Sequence, residues 1–411
     1  MSKTLQGISS IEDFDLDDQR VFLRLDLNVP LKDGKITDDT RIQAALPTIR
    51  YAMEKGAKLL IASHLGRPKT ETDKASLSME PVARYLNDTL NCEVMLIDDL
   101  RGDAAKALFQ GLKSNQIILM ENLRFDPGEE KNDPTLAQTI ASYIDVYIND
   151  AFGASHRAHM SVVGLPVLVE KKGLGFLMKK EIEMLDHVLE GGKSPFVAIL
   201  GGAKVSDKIT VIEKLIDKVD ALIIGGAMAY TFLAAQKISI GNSLLEKEKV
   251  NFAKDLIHRM ETRNIKLLLP VDHRVVTQFQ NTDSLETTKN AAIADGKIAI
   301  DIGPQTEKLY ASEIEKAKTI FWNGPMGVFE TPEYASGTFA VAKAVAESSA
   351  MSIVGGGDSA AAAKESGYAK EMSHISTGGG ASLEYLQGDK LPGIEALRPA
   401  KRSEKTVNEG L

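Results

Sequence analysis

The sequence predicts an α/β fold in which parallel sheets, covered by helices on both faces, are shared between two lobes. Short Val/Ile/Leu-rich runs alternate with longer stretches of helical period, the pattern of buried strands linked by crossover helices. At 411 residues the chain suits two domains or one large two-lobed unit. The residues that close the apolar runs also change character midway, charged in the first half and glycine in the second.

The elements follow in chain order. Strands are expected at 21–28, 58–63, 117–121 and 146–149, with helices at 39–55 and 80–90 between them. Met178, Ile182, Leu185 and Leu189 recur at helical spacing before Gly191-Gly192, so a helix at 176–190 would bridge two sheets. The same period would also suit a packing helix inside a single domain. Further strands are expected at 196–200, 221–225, 266–270, 319–323 and 352–355. From Arg398 the tail is polar and is expected to be mobile.

Bulk properties narrow the function. With 49 Lys plus Arg against 57 Asp plus Glu, the net charge of -8 argues against a broad nucleic-acid surface. Local cationic clusters then read as sites for small anions. The first twenty residues are acidic and lack a long apolar stretch, unlike a secretory or transit segment, and no window approaches a membrane span. Cys92 is the lone cysteine, which points to a reducing cytoplasm and to no thiolate metal site.

In the second half, apolar runs end in Gly201-Gly202-Ala203-Lys204, Gly225-Gly226, Gly355-Gly356-Gly357-Asp358 and Gly378-Gly379-Gly380. Ligands of open parallel sheets bind beyond the carboxyl ends of the strands, where helix N-termini offer free N–H groups and glycine lets backbone approach a phosphate. Several such turns in one half point to a nucleotide. Gly192-Lys193-Ser194 lacks the upstream glycine of a P-loop, and no turn reads as a clean G-x-G-x-x-G. Lys204 and Lys208, at i and i+4 on an expected helix start, would share one face and reach one polyphosphate. Asp358 suits either Mg2+, which takes a carboxylate and keeps waters, or an N-cap.

In the first half, Arg67, Arg124 and Arg157 each follow a strand end, and Arg41 opens a helix. A parallel sheet would gather them at one edge. Such a cluster repels itself unless it holds an anion, and arginine suits bidentate contact with phosphate or carboxylate. His64 reads as a donor to an anionic oxygen or as a loop histidine. Asp26 and Asn28 either hold a hydroxyl or cap the turn into Pro30. His156 and His159 are spaced i and i+3, but no carboxylate or thiolate in the same stretch completes a metal site.

Together these residues closely resemble the phosphoglycerate kinases over about residues 9–397. The matching stretches begin with Arg24-Leu25-Asp26-Leu27-Asn28-Val29-Pro30, Ser63-His64-Leu65-Gly66-Arg67-Pro68, Glu121-Asn122-Leu123-Arg124-Phe125 and His156-Arg157-Ala158-His159. They continue through Leu200-Gly201-Gly202-Ala203-Lys204-Val205, Trp322-Asn323-Gly324-Pro325-Met326-Gly327-Val328-Phe329-Glu330, Gly355-Gly356-Gly357-Asp358-Ser359 and Ser376-Thr377-Gly378-Gly379-Gly380. Ser155 and Met160, where other small residues are expected, and the length of the tail beyond Leu397 depart from the pattern without touching these residues.

The resemblance implies two doubly wound parallel-sheet, Rossmann-like domains joined by a hinge helix. Residues 1–177 would bind phosphoglycerate. Residues 178–390, opening with the interdomain helix at 178–190, would bind nucleotide, and 391–411 would pack back on the first domain. It implies reversible phosphoryl transfer from 1,3-bisphosphoglycerate to MgADP, giving 3-phosphoglycerate and MgATP, in a cytoplasmic monomer that closes about its hinge. Asp26, Asn28, Arg41, His64, Arg67, Arg124 and Arg157 would bind phosphoglycerate. Lys208, Glu330, Gly356, Gly357, Asp358 and Ser359 would bind nucleotide, with Glu330 at the ribose and Asp358 at Mg2+. Because the transition state spreads charge over three equatorial oxygens, Arg41, Lys204 and the N–H groups at Gly378 and Gly379 are expected to grip the migrating group. A dinucleotide-dependent dehydrogenase and a catalytically silent nucleotide-binding scaffold are the competing readings.

Overall fold

The computed structural model describes residues 3–98, 101–114, 116–279 and 281–399. The chain divides into two compact units: one runs to Glu183 and takes in the segment from Lys390, and the other is Met184–Asp389. The division falls inside the helix Phe176–Leu189, later than the boundary expected after residue 177. The polar tail, from residue 400 onward, lies outside the described residues.

In the first unit the strands are β1 (Ser9–Ser10), β2 (Arg20–Leu25), β3 (Leu31–Lys32), β4 (Lys35–Ile36), β5 (Lys58–Ala62), β6 (Glu93–Ile97), β7 (Gln116–Met120), β8 (Val146–Asp150) and β9 (Lys171–Leu174). Among the described residues, seven of them form one sheet in the order β1-β9-β8-β2-β5-β7-β6, and β3 and β4 pair as a hairpin. Every pairing in the seven-stranded sheet is parallel. The central strands read as unbroken apolar runs because both faces are covered: Val21, Leu23, Leu59, Ile61, Ile117, Leu119, Val146 and Ile148 sit in one core with Ile42, Ile49 and Leu86 of the helices Thr40–Glu54 and Glu80–Leu90.

The chain leaves β2 toward β5 on one side and later returns to β2 with β8 on the other. A reversal of this kind opens a crevice beyond the carboxyl ends of the flanking strands. The segment after Leu391 packs within this unit: Gly393 N–H donates to the Ser155 carbonyl (2.8 Å), and Arg398 donates to the carbonyls of Gln6 and Thr4 (3.0 Å each).

The second unit contains β10 (Phe196–Leu200), β11 (Ala221–Ile224), β12 (Lys266–Leu268), β13 (His273–Val276), β14 (Glu286–Thr287), β15 (Ile298–Ile302), β16 (Thr319–Asn323), β17 (Met351–Val354) and β18 (His374–Ile375). A parallel sheet runs β12-β11-β10-β16-β17-β18, and an antiparallel one runs β14-β13-β15. The antiparallel sheet interrupts the expected alternation. Trp322, Ile199, Val197 and Ile320 anchor the main core, with Tyr310 and Val341 from the covering helices. Among the described residues no helix is long and apolar enough to cross a membrane.

Candidate active site

In the first unit the residues that follow four adjacent strands meet at one sheet edge: Asp26 and Asn28 after β2, His64 and Arg67 after β5, Arg124 after β7 and Arg157 after β8. Arg41 joins them from the first turn of the helix Thr40–Glu54, its Nη1 donating to both oxygens of buried Asp26 (2.8 and 3.0 Å). Asp26 therefore positions an arginine and also accepts the Asn28 N–H (3.3 Å). The loop after β5 is clamped from both sides. Asn28 Oδ1 accepts from Gly66 N–H (2.8 Å), and Arg124 Nη1 donates to the Gly66 carbonyl (2.5 Å). Asn122 fixes the same loop, accepting from Leu65 N–H (3.1 Å) and donating to the Leu65 carbonyl (2.6 Å).

The electrostatics of this edge are dominated by positive charge. Burial first, then the charges of Arg24, Arg124, Arg41 and Arg157, holds the His64 imidazole well below its usual range, so it is neutral near pH 7. Burial and the positive charges of Arg157, Arg24 and Arg67 likewise lower Arg124 despite Glu130. Arg124 Nε lies 3.2 Å from Glu130 Oε1 but makes no hydrogen bond of acceptable geometry, so this contact is a charge pair only. Arginines packed this closely are mutually destabilising until an anion arrives. His159 is pushed down to about 4 by burial and by Arg124 and Arg24, and its neighbour is the buried carboxylate of Glu129 (3.8 Å).

Sequence reasoning assigned no role to Arg24, which the structure buries beneath this edge. Its Nε donates to Ser161 Oγ (2.8 Å), Nη1 to the Leu25 carbonyl (2.5 Å), and Nη2 meets His64 Nδ1 (3.3 Å). The available signal was an arginine inside an otherwise apolar strand, where a charge persists only if it is partnered.

In the second unit the glycine turns also line a carboxyl edge, but they serve two purposes. A Cβ on Gly201 would lie 2.0 Å from the Pro325 carbonyl oxygen, and one on Gly324 would lie 2.2 Å from that of Gly201. These glycines let the turns after β10 and β16 pack backbone against backbone. Gly202, Gly357 and Gly379 have nothing within 4 Å of an added Cβ. Gly357 also needs no positive φ, so neither packing nor backbone conformation within the chain calls for a glycine there. Gly356 is the N-cap of the helix Gly357–Glu365, which puts exposed Asp358 in the first turn rather than at the cap.

Lys208 Nζ donates to Asn323 Oδ1. Burial lowers its affinity for a proton, and Asp358 and Asp207 oppose that effect, so Lys208 and Asp358 lie within electrostatic reach of each other. Asn323, a second residue given no role by sequence reasoning, also donates to the Gly355 carbonyl (2.7 Å), and Ser359 Oγ accepts from Gly324 N–H (2.5 Å). Glu330 is exposed in the turn after Phe329, and Gly378 and Gly379 precede the helix Gly380–Leu386, with Gly379 as N-cap.

One expectation is corrected. Lys204 is not on a helix: the helix begins at Ile209 with Lys208 as its N-cap, and Lys204 is exposed in the preceding turn. The cause is Glu246, whose carboxylate accepts from Val205 N–H (2.5 Å), Ser206 N–H (3.2 Å) and Ser206 Oγ (2.6 Å), replacing the first helical turn by a side-chain anchor. Among the described residues no group of three or more His, Cys, Asp or Glu side chains is placed to hold a metal. A single exposed carboxylate such as Asp358 fits Mg2+ held mainly by water and nucleotide phosphates.

A family model described as phosphoglycerate kinase matches residues 11–389. A phosphoglycerate kinase of Bdellovibrio bacteriovorus is 57% identical over 398 residues, covering 97% of this chain and 99% of its own. One from Anaeromyxobacter dehalogenans (strain 2CP-C) is 51% identical over 392 residues, covering 95% and 99%. Among solved structures, the phosphoglycerate kinase of Coxiella burnetii has a TM-score of 0.86 at 44% identity, covering 95% of this chain and 98% of that one. That of Pyrococcus horikoshii OT3 has a TM-score of 0.79 at 36% identity, covering 94% and 98%. Since both the arginine edge and the glycine edge fall inside the matched span, the chain belongs to the phosphoglycerate kinase family.

Proposed function

We propose that the chain catalyses reversible in-line transfer of a phosphoryl group from 1,3-bisphosphoglycerate to ADP, giving 3-phosphoglycerate and ATP. The observation that carries this reading is the arginine cluster around His64, which needs a multiply charged anion, in a chain of this family. Family membership also sets aside the dehydrogenase.

As the acyl phosphate's P–O bond to the carboxylate breaks, a bond forms from phosphorus to a β-phosphate oxygen of ADP. The leaving carboxylate is a weak base and the attacking oxygen is already ionised, so no proton moves and no covalent intermediate on the protein is required. The protein's work is orientation and charge compensation.

Asp26, Asn28, Arg41, His64, Arg67, Arg124 and Arg157 are assigned to phosphoglycerate, and Lys208, Glu330, Gly356, Gly357, Asp358 and Ser359 to nucleotide. Arg41, Lys204 and the N–H groups at Gly378 and Gly379 are assigned to the migrating phosphoryl. The Arg41–Asp26 pair and the Lys208–Asn323 contact support this by fixing two of those cations in advance. Mg2+, held at Asp358, would neutralise charge on the nucleotide phosphates. Hinge closure, a monomeric state and a cytoplasmic location complete the reading.

The direct test supplies the acyl phosphate and MgADP and follows ATP in a coupled assay. ATP formation at ordinary kinase turnover is expected. Nucleotide binding without ATP formation would instead identify a silent scaffold.

A further inference from the structure

Beneath the arginine edge lies a chain of contacts in which each link has a direction. Glu129 is fully buried on the short helix Pro127–Glu130. Its Oε2 accepts from Ser161 N–H (2.9 Å), and its Oε1 accepts from Ser161 Oγ–H (2.7 Å). The Ser161 hydroxyl accepts from Arg24 Nε (2.8 Å), so its own proton is the one that points to Glu129 Oε1. A guanidinium can only donate. The contact from Arg24 Nη2 to His64 Nδ1 (3.3 Å) therefore requires that nitrogen to be an acceptor. His64 is then left with its proton on Nε2.

We infer that Glu129 and Ser161 are positioning residues of the phosphoglycerate site, which through Arg24 fix His64 as a neutral imidazole bearing its proton on Nε2. The inference rests on the reading of this edge as the phosphoglycerate site and adds to it a proton direction and two residues not otherwise assigned there. An imidazolium would add one more positive charge to a cluster that already brings Arg24, Arg124, Arg41 and Arg157 to bear on His64. The neutral tautomer supplies an N–H donor without that cost, and the transfer needs no acid or base from it. Glu129 also answers the buried charge of Arg24 through one intervening hydroxyl, which accounts for a fully buried carboxylate at this position.

The test uses the full chain with ring-15N histidine, the His64 signals being identified by their loss in His64→Asn. In the wild type, two-bond proton–nitrogen spectra are expected to show the Nε2–H tautomer, unchanged between pH 5.5 and 8. Ser161→Ala should release the single tautomer and raise KM for 3-phosphoglycerate about tenfold, the size of one charge-assisted hydrogen bond, with a smaller change in kcat. Ser161→Thr should restore both, and Glu129→Gln should behave as Ser161→Ala does.

A wild-type ring that titrates near 6.5, or that carries its proton on Nδ1, overturns the inference. So does Ser161→Ala with unchanged His64 signals. Should the variants not fold, the wild-type spectrum decides by itself. A wild type that keeps the tautomer but does not turn over 3-phosphoglycerate refutes the function instead, leaving the proton direction standing.

Discussion

Arg67 and Arg41 illustrate how residues of one type at one edge differ in consequence. Arg41 is held by Asp26, so removing it also frees a buried carboxylate, and the two effects are confounded. Arg67 is exposed and acts on its neighbours through its charge. Arg67→Ala should therefore raise KM for 3-phosphoglycerate by roughly 10- to 100-fold, as expected for one charge-assisted contact, and leave KM for ADP unchanged. A defect confined to the nucleotide would contradict its assignment. Lys204 is exposed in a turn fixed by Glu246 rather than by its own side chain. Lys204→Ala should lower kcat by about 100-fold or more with both substrate affinities nearly intact, because its partner forms mainly in the transition state. Equal losses in kcat/KM through binding alone, measured by titration and turnover together, would remove it from the reacting group.

At the scale of elements, the start of the helix Phe176–Leu189 depends on a residue from another strand. Asp150, at the end of β8, accepts from Met178 N–H (2.9 Å) and Thr48 Oγ1 (2.6 Å), and Thr48 Oγ1 accepts from Phe176 N–H (3.1 Å). Asp150→Ala should thus destabilise the first unit by about 1–3 kcal/mol through donors left unpaired, read as a lower urea midpoint of that unit. An unchanged midpoint would mean that the helix start is satisfied in another way. Nothing in the local sequence of the helix announces this dependence. The strands that run through the two cores were legible because burial on both faces leaves unbroken Val/Ile/Leu runs. Among the missed strands, Glu93–Ile97 is half-exposed, Lys171–Leu174 begins with two lysines, and His273–Val276 and Ile298–Ile302, the latter interrupted by Asp301, pair in a separate antiparallel sheet. The arginine edge was legible because Arg67, Arg124 and Arg157 each follow a strand end and Arg41 opens a helix. Glu129, Ser161 and Glu246 were not, since each acts on a segment distant in sequence, and no local period records such a contact.

For the whole molecule, the pH dependence of stability follows from a charge that the fold buries at some cost. Asp301 is buried with Oδ1 lacking a hydrogen-bond partner among the described residues, Oδ2 accepting from Gly337 N–H (2.6 Å), and burial pushing its carboxyl up to about 7. Between the unfolded value near 3.8 and about 7 the folded state binds the extra proton, so this residue costs stability as pH rises through that window. Asp301→Asn removes the titration and keeps an acceptor for Gly337. Its stability relative to the wild type should therefore improve from pH 5 to 7 by up to about 1.4 kcal/mol per unit, and a pH-independent difference in urea unfolding would refute the assignment. The proposed catalytic cycle makes a demand of its own on the whole chain. The arginine edge belongs to one compact unit and the glycine edge to the other, yet one phosphoryl group must be met by cations from both while water is kept from the acyl phosphate. Either substrate alone satisfies only its own edge and gives no reason to hold the units in a single arrangement. Under the proposed function, both substrates together would give the arginines and lysines a shared anionic partner that neither binary complex supplies. Solution scattering should therefore give a smaller radius of gyration with 3-phosphoglycerate and a non-hydrolysable ATP analogue together than with either alone. Superimposable profiles in all four states would show that the two edges do not come together to act on one group.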